Sequence, residues 1–339
     1  MLKVGINAYG TIGKRVADAI AKQPDMKVSG VVKAHPNYMS HVASKRFSLY
    51  VPDRNAAKAF DDAGIKTEGT VEDLIEESDI IVDATPEGEG EKYKKMYEKA
   101  KKKALFQGGE EHRLTGTSFN AYANYEEAWG KDYVRVVSCN TTALVRTIYP
   151  LTSFGKIRVR ANLVRRATDP DDYTKGPINS IVPDLKIPSH HGPDVASIIK
   201  GLDIETMAVK VPTTLMHLHF VHVEFPENIK TEDILSAWSG LRRIAFVSGK
   251  DGVKSTSQIM DIARETGRER SDLYEIILWR DSISVKGNEL FYYQAVHQES
   301  DVVPENVDAI RSMFQLKDKE SSIRETDSTL RIGDLIYGR

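Results

Sequence analysis

A single cysteine, Cys139, stands in 339 residues. That scarcity excludes an intramolecular disulfide framework and a multi-cysteine zinc site, and it fits a reducing compartment. Charge of one sign is equally lacking, since 47 Lys and Arg face 49 Asp and Glu for a net charge of −2. No single-sign field marks nucleic acid or a membrane surface as the main partner, so the expected ligand is small. No apolar stretch approaches the length needed to span a bilayer, and "MLKVGINAYG" enters a strand-like run without a basic-then-apolar leader. A cytoplasmic location is expected. Internal repeats and low-complexity segments are missing too. What is present is a hydrophobic share of 40% on a chain longer than one typical domain, which points to two domains with sizeable cores.

The first half alternates between two periodicities. Short β-branched runs, "KVGIN", "MKVSGVV", "DIIVDATP" and "VRVVSC", have the apolar density of strands buried on both faces. Helical patterns separate them: Ile12, Val16 and Ile20 recur every fourth residue before Pro24, and Thr70 with Asp73 reads as a capping box. Strand, helix and strand at this spacing predict an α/β domain with a doubly wound parallel sheet. The second half carries longer alternating strands, "KIRVRANLVRRA" and "TTLMHLHFVHVEF", which predict an α+β domain on a largely antiparallel sheet. The expected division is 1–138 and 139–301. Residues 302–339, led by the stripe Val307, Ile310 and Phe314, are expected to return to the first domain.

The turn after the first strand reads Ala8-Tyr9-Gly10-Thr11-Ile12-Gly13. In a Gly-x-Gly-x-x-Gly turn the first glycine permits the bend, the second admits the pyrophosphate, and the third lets helix and strand pack. Two of the three are here, in the right strand-to-helix context. Ala8, in place of the first, costs little if its φ is negative. At the end of the second strand an NAD site usually places an acid, but this chain has Lys33. Lys33 either pairs with the extra phosphate of NADP or is a solvated strand-end lysine; the absence of the acid favours the phosphate.

Cys139 follows an apolar strand and opens a helix whose stripe includes Leu144, Ile148 and Leu151. A helix start stabilises negative charge, so thiolate character is expected there, although free cysteine is as often a small buried hydrophobe. A nucleophile needs a base. On "HLHFVH", strand alternation puts His217 and His219 on one face and His222 on the other, which does not choose among them. Zinc is the less favoured reading, because beyond the "SHH" pair no second cluster supplies clear further ligands. Arg165 with Arg166, and His190 with His191, read best as anion-binding groups, the alternatives being a surface ion pair and a polar loop.

Taken in order, "INAYGTIGKR", "FQGGE", "VVSCNTTALVRT", "VRRATD", "GPINSIVPD", "IPSHHGPDV", "PTTLMHLHFVHV" and "QAVHQESDVVPEN" resemble the archaeal branch of phosphorylating glyceraldehyde-3-phosphate dehydrogenase almost end to end. The resemblance implies a Rossmann domain and a catalytic domain, Cys139 as nucleophile and His219 as acid/base. It implies cofactor contacts at Gly10, Thr11, Ile12, Gly13, Gly109, Arg166 and Gln298, beside Lys33, and substrate or phosphate contacts at Ser138, Asn140, Thr141, His190 and His191. NADP or NAD, glyceraldehyde 3-phosphate and inorganic phosphate are the implied ligands, and a homotetramer the implied assembly. Ala8 departs from the family's glycine, which bears on cofactor affinity more than on reaction type. The alternatives are an aspartate-semialdehyde dehydrogenase-like enzyme, or a non-catalytic nucleotide- or RNA-binding protein using the same groove.

Overall fold

The computed structural model describes residues 1–168 and 176–335. The chain divides into two compact units, one of residues 1–121, 125–137 and 303–330, the other of residues 122–124, 138–302 and 331–339.

The first unit is built on eight strands: β1 (Leu2–Asn7), β2 (Met26–Val32), β3 (Leu49–Val51), β4 (Gly69–Thr70), β5 (Ile80–Asp83), β6 (Lys103–Phe106), β7 (Ser118–Phe119) and β8 (Tyr133–Val136). They pair in the order β4-β3-β2-β1-β5-β6-β8-β7, all parallel. This is the doubly wound plan that the alternating pattern predicts. Val4 and Ile6 of β1 and Ile80, Ile81 and Val82 of β5 are fully buried, which is why these runs are apolar without alternation. The crossovers carry α1 (Thr11–Ala21), α2 (Tyr38–Ser44), α3 (Arg54–Asp62), α4 (Val71–Glu77) and α5 (Gly90–Lys99), and the short α6 (Ala121–Asn124) follows β7. On α1 the buried stripe is Val16, Ala17 and Ile20.

The second unit opens with α7 (Cys139–Ile148) and holds β9 (Arg158–Arg166), β10 (Val182–Pro183), α8 (His191–Ile198), β11 (Asp203–Val211), β12 (His217–Glu224), α9 (Thr231–Ser239), β13 (Ile244–Val247), α10 (Thr256–Glu265), β14 (Ile276–Trp279), β15 (Ser284–Lys286) and β16 (Glu289–Val296). Its strand order is β10-β11-β9-β12-β16-β14-β13, with β15 on β16. The sheet is mixed: β9 lies antiparallel to β12 and β12 to β16, whereas β11 runs parallel to β9 and β13 to β14. On β12, burial alternates so that His217 and His219 are buried and His222 is not.

Val303–Leu330, with α11 (Val303–Met313) and α12 (Lys319–Thr329), belongs to the first unit. There the fully buried Arg311 pairs with Asp25 at 2.8 Å and donates to Gln23 and Thr326. The expectation that all of 302–339 joins that unit needs correction, because from Arg331 the chain goes to the second. Arg242 donates to the Ile332 carbonyl, Gly333 N–H donates to the buried Glu275 at 2.7 Å, and Leu335 packs on a core of Ile259, Leu273 and Ile277. Residues 336–339 lie outside the described residues. Two further parts of 1–138, residues 122–124 and Ser138, also belong to the second unit.

Candidate active site

In the first unit the turn between β1 and α1 is shaped by three residues. Gly13 is obligatory, since a Cβ there would lie 2.0 Å from the Ala8 carbonyl oxygen. A Cβ on Gly10 would meet open space. Gly10 caps α1 without a side-chain bond, and the first turn carries no acid. Open room beside uncapped N–H groups suits a pyrophosphate, so Gly10, Thr11, Ile12 and Gly13 fit the dinucleotide expected there. Ala8 corrects the condition set for it: its φ is +77°, the left-handed region where a methyl is strained. Lys33 follows β2 directly and donates its N–H to Tyr50 O at 2.9 Å. Gly109 sits in the loop after β6 beside Glu87. There Glu110 already accepts from Gly88 and Gly90 N–H at 3.0 Å each, so a carboxylate occupies the start of α5.

In the second unit the site is assembled from α7, α8, β9, β12 and β16. Ser138 caps α7, its Oγ accepting from Thr141 N–H and lying 3.0 Å from Thr141 Oγ1. Cys139 is therefore the first helical residue, with no acid in that turn. Arg146, fully buried, pins the helix by donating to Tyr274 O and Asp301 O at 2.7 and 2.6 Å. The thiol nevertheless departs from the expected thiolate character. Burial pushes it up to about 12, the Asp301 charge adds to this, and Arg165, Arg166 and the Asn140 N–H pull only partly the other way. Desolvation outweighs the helix dipole.

Asn140 joins the two imidazoles. His219 Nε2 lies 2.8 Å from Asn140 Oδ1, and Asn140 Nδ2 lies 3.3 Å from His191 Nε2. Behind His219, Gln294 Nε2 is 3.0 Å from Nδ1; behind His191, Ser189 Oγ is 3.0 Å from Nδ1 and 2.8 Å from Thr206 Oγ1. Burial lowers His219 to about 3 and His191 to about 2, with Arg165 acting on both, so each ring is neutral. His217 is also held well below its ordinary value by burial, and its Nδ1 accepts from Arg166 N–H at 2.9 Å. His190 is exposed and lies over His191 with ring centroids 3.8 Å apart.

The arginines behave differently. Arg166 is buried in an ion pair with Glu299 at 2.6 Å, so part of its fork is already engaged. Arg165 is the arginine whose charge bears on Cys139, His191 and His219 together, and its buried Nε makes no hydrogen bond among the described residues. Gln298 lies just beyond β16, close in sequence to Glu299. Gln294 escaped the sequence reading. Its signal was a polar residue at an inward position of "ELFYYQAV", where alternation demands an apolar one.

A doubly wound parallel sheet with a glycine-containing turn after its first strand, and a second unit carrying a helix-start thiol and a buried imidazole network, have the plan of a two-domain dinucleotide-dependent dehydrogenase. A family model described as "Glyceraldehyde 3-phosphate dehydrogenase, C-terminal domain" matches residues 138–282. The glyceraldehyde-3-phosphate dehydrogenase of Thermoplasma volcanium is 59% identical over 338 residues, covering 99% of this chain and 100% of that one. Those of Picrophilus torridus and Methanothermus fervidus are 54% and 53% identical, over 100% and 98% of this chain and 100% and 99% of their own. The chain belongs to the glyceraldehyde-3-phosphate dehydrogenase family.

Proposed function

We propose that this protein oxidises glyceraldehyde 3-phosphate to 1,3-bisphosphoglycerate with inorganic phosphate and NADP or NAD. The observation that carries this reading is the thiol of Cys139 at the start of α7, next to an Asn140 that bridges His219 and His191 under the charge of Arg165. NADP or NAD supplies the hydride acceptor when bound at the Gly10–Gly13 turn, with Lys33 toward the adenosine phosphate. In the first step the thiol gives up its proton and sulfur adds as thiolate to the aldehyde carbon, the proton ending on the carbonyl oxygen, with the Arg165 charge and the start of α7 favouring the negative sulfur. The product is a hemithioacetal on Cys139. His219 then takes the hydroxyl proton as the carbon is oxidised to a thioester. Phosphate oxygen attacks that carbonyl, the sulfur leaves, and the proton held on His219 returns to it.

Two anions must sit near the sulfur, the substrate phosphate and the attacking one. Arg165, His190, His191, Ser138, Thr141 and the positive end of the α7 dipole are assigned to them. Arg166 and Gln298 are assigned to the cofactor side, with Arg166 held in orientation by Glu299. Among the described residues no helix is long and apolar enough to cross a membrane. A cytoplasmic homotetramer is the proposed form.

The test is reduction of the nicotinamide with glyceraldehyde 3-phosphate, omitting phosphate and each cofactor in turn, with aspartate semialdehyde as the competing aldehyde. Expected are dependence on phosphate, NADP used at least as well as NAD, and loss of activity in Cys139→Ser. Lys33→Asp should shift the kcat/KM ratio toward NAD by roughly 10-fold or more, as for loss of a charge-assisted bond. Phosphate-independent turnover, or preference for the semialdehyde, would sink the reading.

A further inference from the structure

In the second unit a chain of buried hydrogen bonds runs through His219, Asn140 and His191 and on to side chains that the reaction as described does not use. It begins at Tyr292, whose hydroxyl donates to Thr147 Oγ1 at 3.0 Å; Thr147 donates to Gln294 Oε1 at 2.9 Å. Gln294 Nε2 donates to His219 Nδ1, so that ring carries its proton on Nε2, which donates to Asn140 Oδ1. Asn140 Nδ2 then donates to His191 Nε2, whose Nδ1 proton goes to Ser189 Oγ, and Ser189 donates to Thr206. Thr206 closes the run on the Ser189 carbonyl at 3.1 Å. All of these side chains are essentially excluded from water: Thr147, Ser189, His191, Thr206, His219 and Gln294 at 0%, Asn140 and Tyr292 at 2%. Gln294 is in place because it is the direct cross-strand partner of His219 in the β12–β16 register.

The same atoms satisfy the opposite direction. If the Gln294 amide turns over, its Oε1 accepts from His219 Nδ1–H and its NH2 donates to Thr147 Oγ1. Thr147 then gives its own proton to Ala143 O, which lies 3.1 Å away. On the other side Asn140 turns as well, giving an N–H to His219 Nε2 and accepting from His191, whose Nδ1 accepts from Ser189. In one direction Nε2 of His219 is a donor, and in the other an acceptor. The groups around His219 are Arg165 on β9, His217 on its own strand and His191 at the start of α8; no carboxylate is among those acting on it in the described residues.

We propose that Gln294 is the positioning residue that sets which nitrogen of His219 carries the proton, and that its neutral amide, with Oε1 turned to Nδ1, holds the ring in the one tautomer whose Nε2 can take a proton and give it back. To accept a proton at Nε2 and give it back, His219 must keep its other proton on Nδ1 throughout, and the turned amide supplies the acceptor that holds it there. A carboxylate at this position would always accept, holding the ring protonated on Nδ1 and favouring the imidazolium. A side chain without polar atoms would leave Nδ1 unpaired in a dry site.

This inference rests on the reading of His219 as the acid/base, and the experiment separates the two. In kcat/KM against pH for the whole enzyme, Gln294→Glu is expected to move the acid limb up by about one unit or more, because a neighbouring carboxylate raises an imidazole. Gln294→Met, close in shape, is expected to lower kcat roughly 10- to 100-fold, the scale of a lost orientation, with KM for glyceraldehyde 3-phosphate held within about twofold. His222→Asn, on the far side of β12, is expected to leave the profile in place. A wild-type acid limb and wild-type kcat in both Gln294 variants, with His219→Asn inactive, would overturn the role given to Gln294. Near-normal turnover in His219→Asn would instead remove the acid/base reading, and this one with it. Should Gln294→Glu fail to fold, the kcat and KM of Gln294→Met decide alone.

Discussion

Ala8 shows how one residue can carry more information than a motif. A glycine pattern reports composition, and composition cannot report φ; the alanine looked harmless on the assumption of a negative angle. At +77° it occupies a conformation that its methyl disfavours by about 1 kcal/mol, while its carbonyl presses so closely on Gly13 that no other residue fits there. Ala8→Gly should therefore raise the thermal midpoint, the relief of strain outweighing the greater freedom of glycine in the unfolded chain. It should also leave NADP affinity equal or tighter by calorimetry. A lower midpoint for the glycine variant would show that the surrounding turn has absorbed the strain. Cys139 teaches the same lesson about charge. Its position at the helix start was readable, but the burial that raises the thiol, and the charge of Asp301 more than a hundred residues further along the chain that adds to it, are not local to that stretch.

At the level of elements, periodicity disclosed what is periodic. The long strands β9 and β12 and the helices α1, α7 and α11 follow from alternation or a fourfold stripe. The strands β3, β4 and β7, of two or three residues, are too short to hold a period. Nor does periodicity encode direction, so the parallel pairing of β9 with β11 was invisible inside an otherwise antiparallel reading. Parity on β12 correctly turned His217 and His219 inward and has a measurable consequence. These two and His191 are held below their ordinary 6.5, His191 to about 2 and His219 to about 3, with burial the main cause each time. The folded unit refuses protons that the unfolded chain accepts, so their contribution to stability is present above about pH 6.5 and is lost as pH falls from there toward 3. At pH 5 the three together should give an uptake of about three protons on unfolding, and His217→Asn should lower that slope by about one. Urea midpoints at pH 7, 6 and 5, followed by the fluorescence of the buried Trp238, provide the measurement. An identical pH slope in the variant would mean that His217 is protonated in the folded state.

On the scale of the whole molecule, one face of the second sheet is unfinished. Alternation that buries His217 and His219 leaves Phe220 and Phe291 37% exposed, Tyr293 43% and Met207 50%. Register sets Met207, Asn162, Phe220 and Tyr293 in one row across four strands, with the Phe220 and Tyr293 rings edge to face at 4.9 Å and His222 stacked on Phe291 at 4.5 Å. Arg158, Arg160 and Glu224 of the same sheet pair among themselves and with Asp203 rather than presenting a field of one sign. An apolar row bordered by paired charges on a near-neutral chain suits a second copy of the same face better than a charged partner. The proposed homotetramer is therefore expected to use this sheet in one of its interfaces. Phe220→Glu combined with Tyr293→Glu, which puts like charges opposite each other on both the strand pair and the partner, should halve the mass measured by light scattering. The circular dichroism of each subunit should be retained, because neither side chain reaches the core. An unchanged mass in the folded double variant would place the assembly surface elsewhere on the molecule.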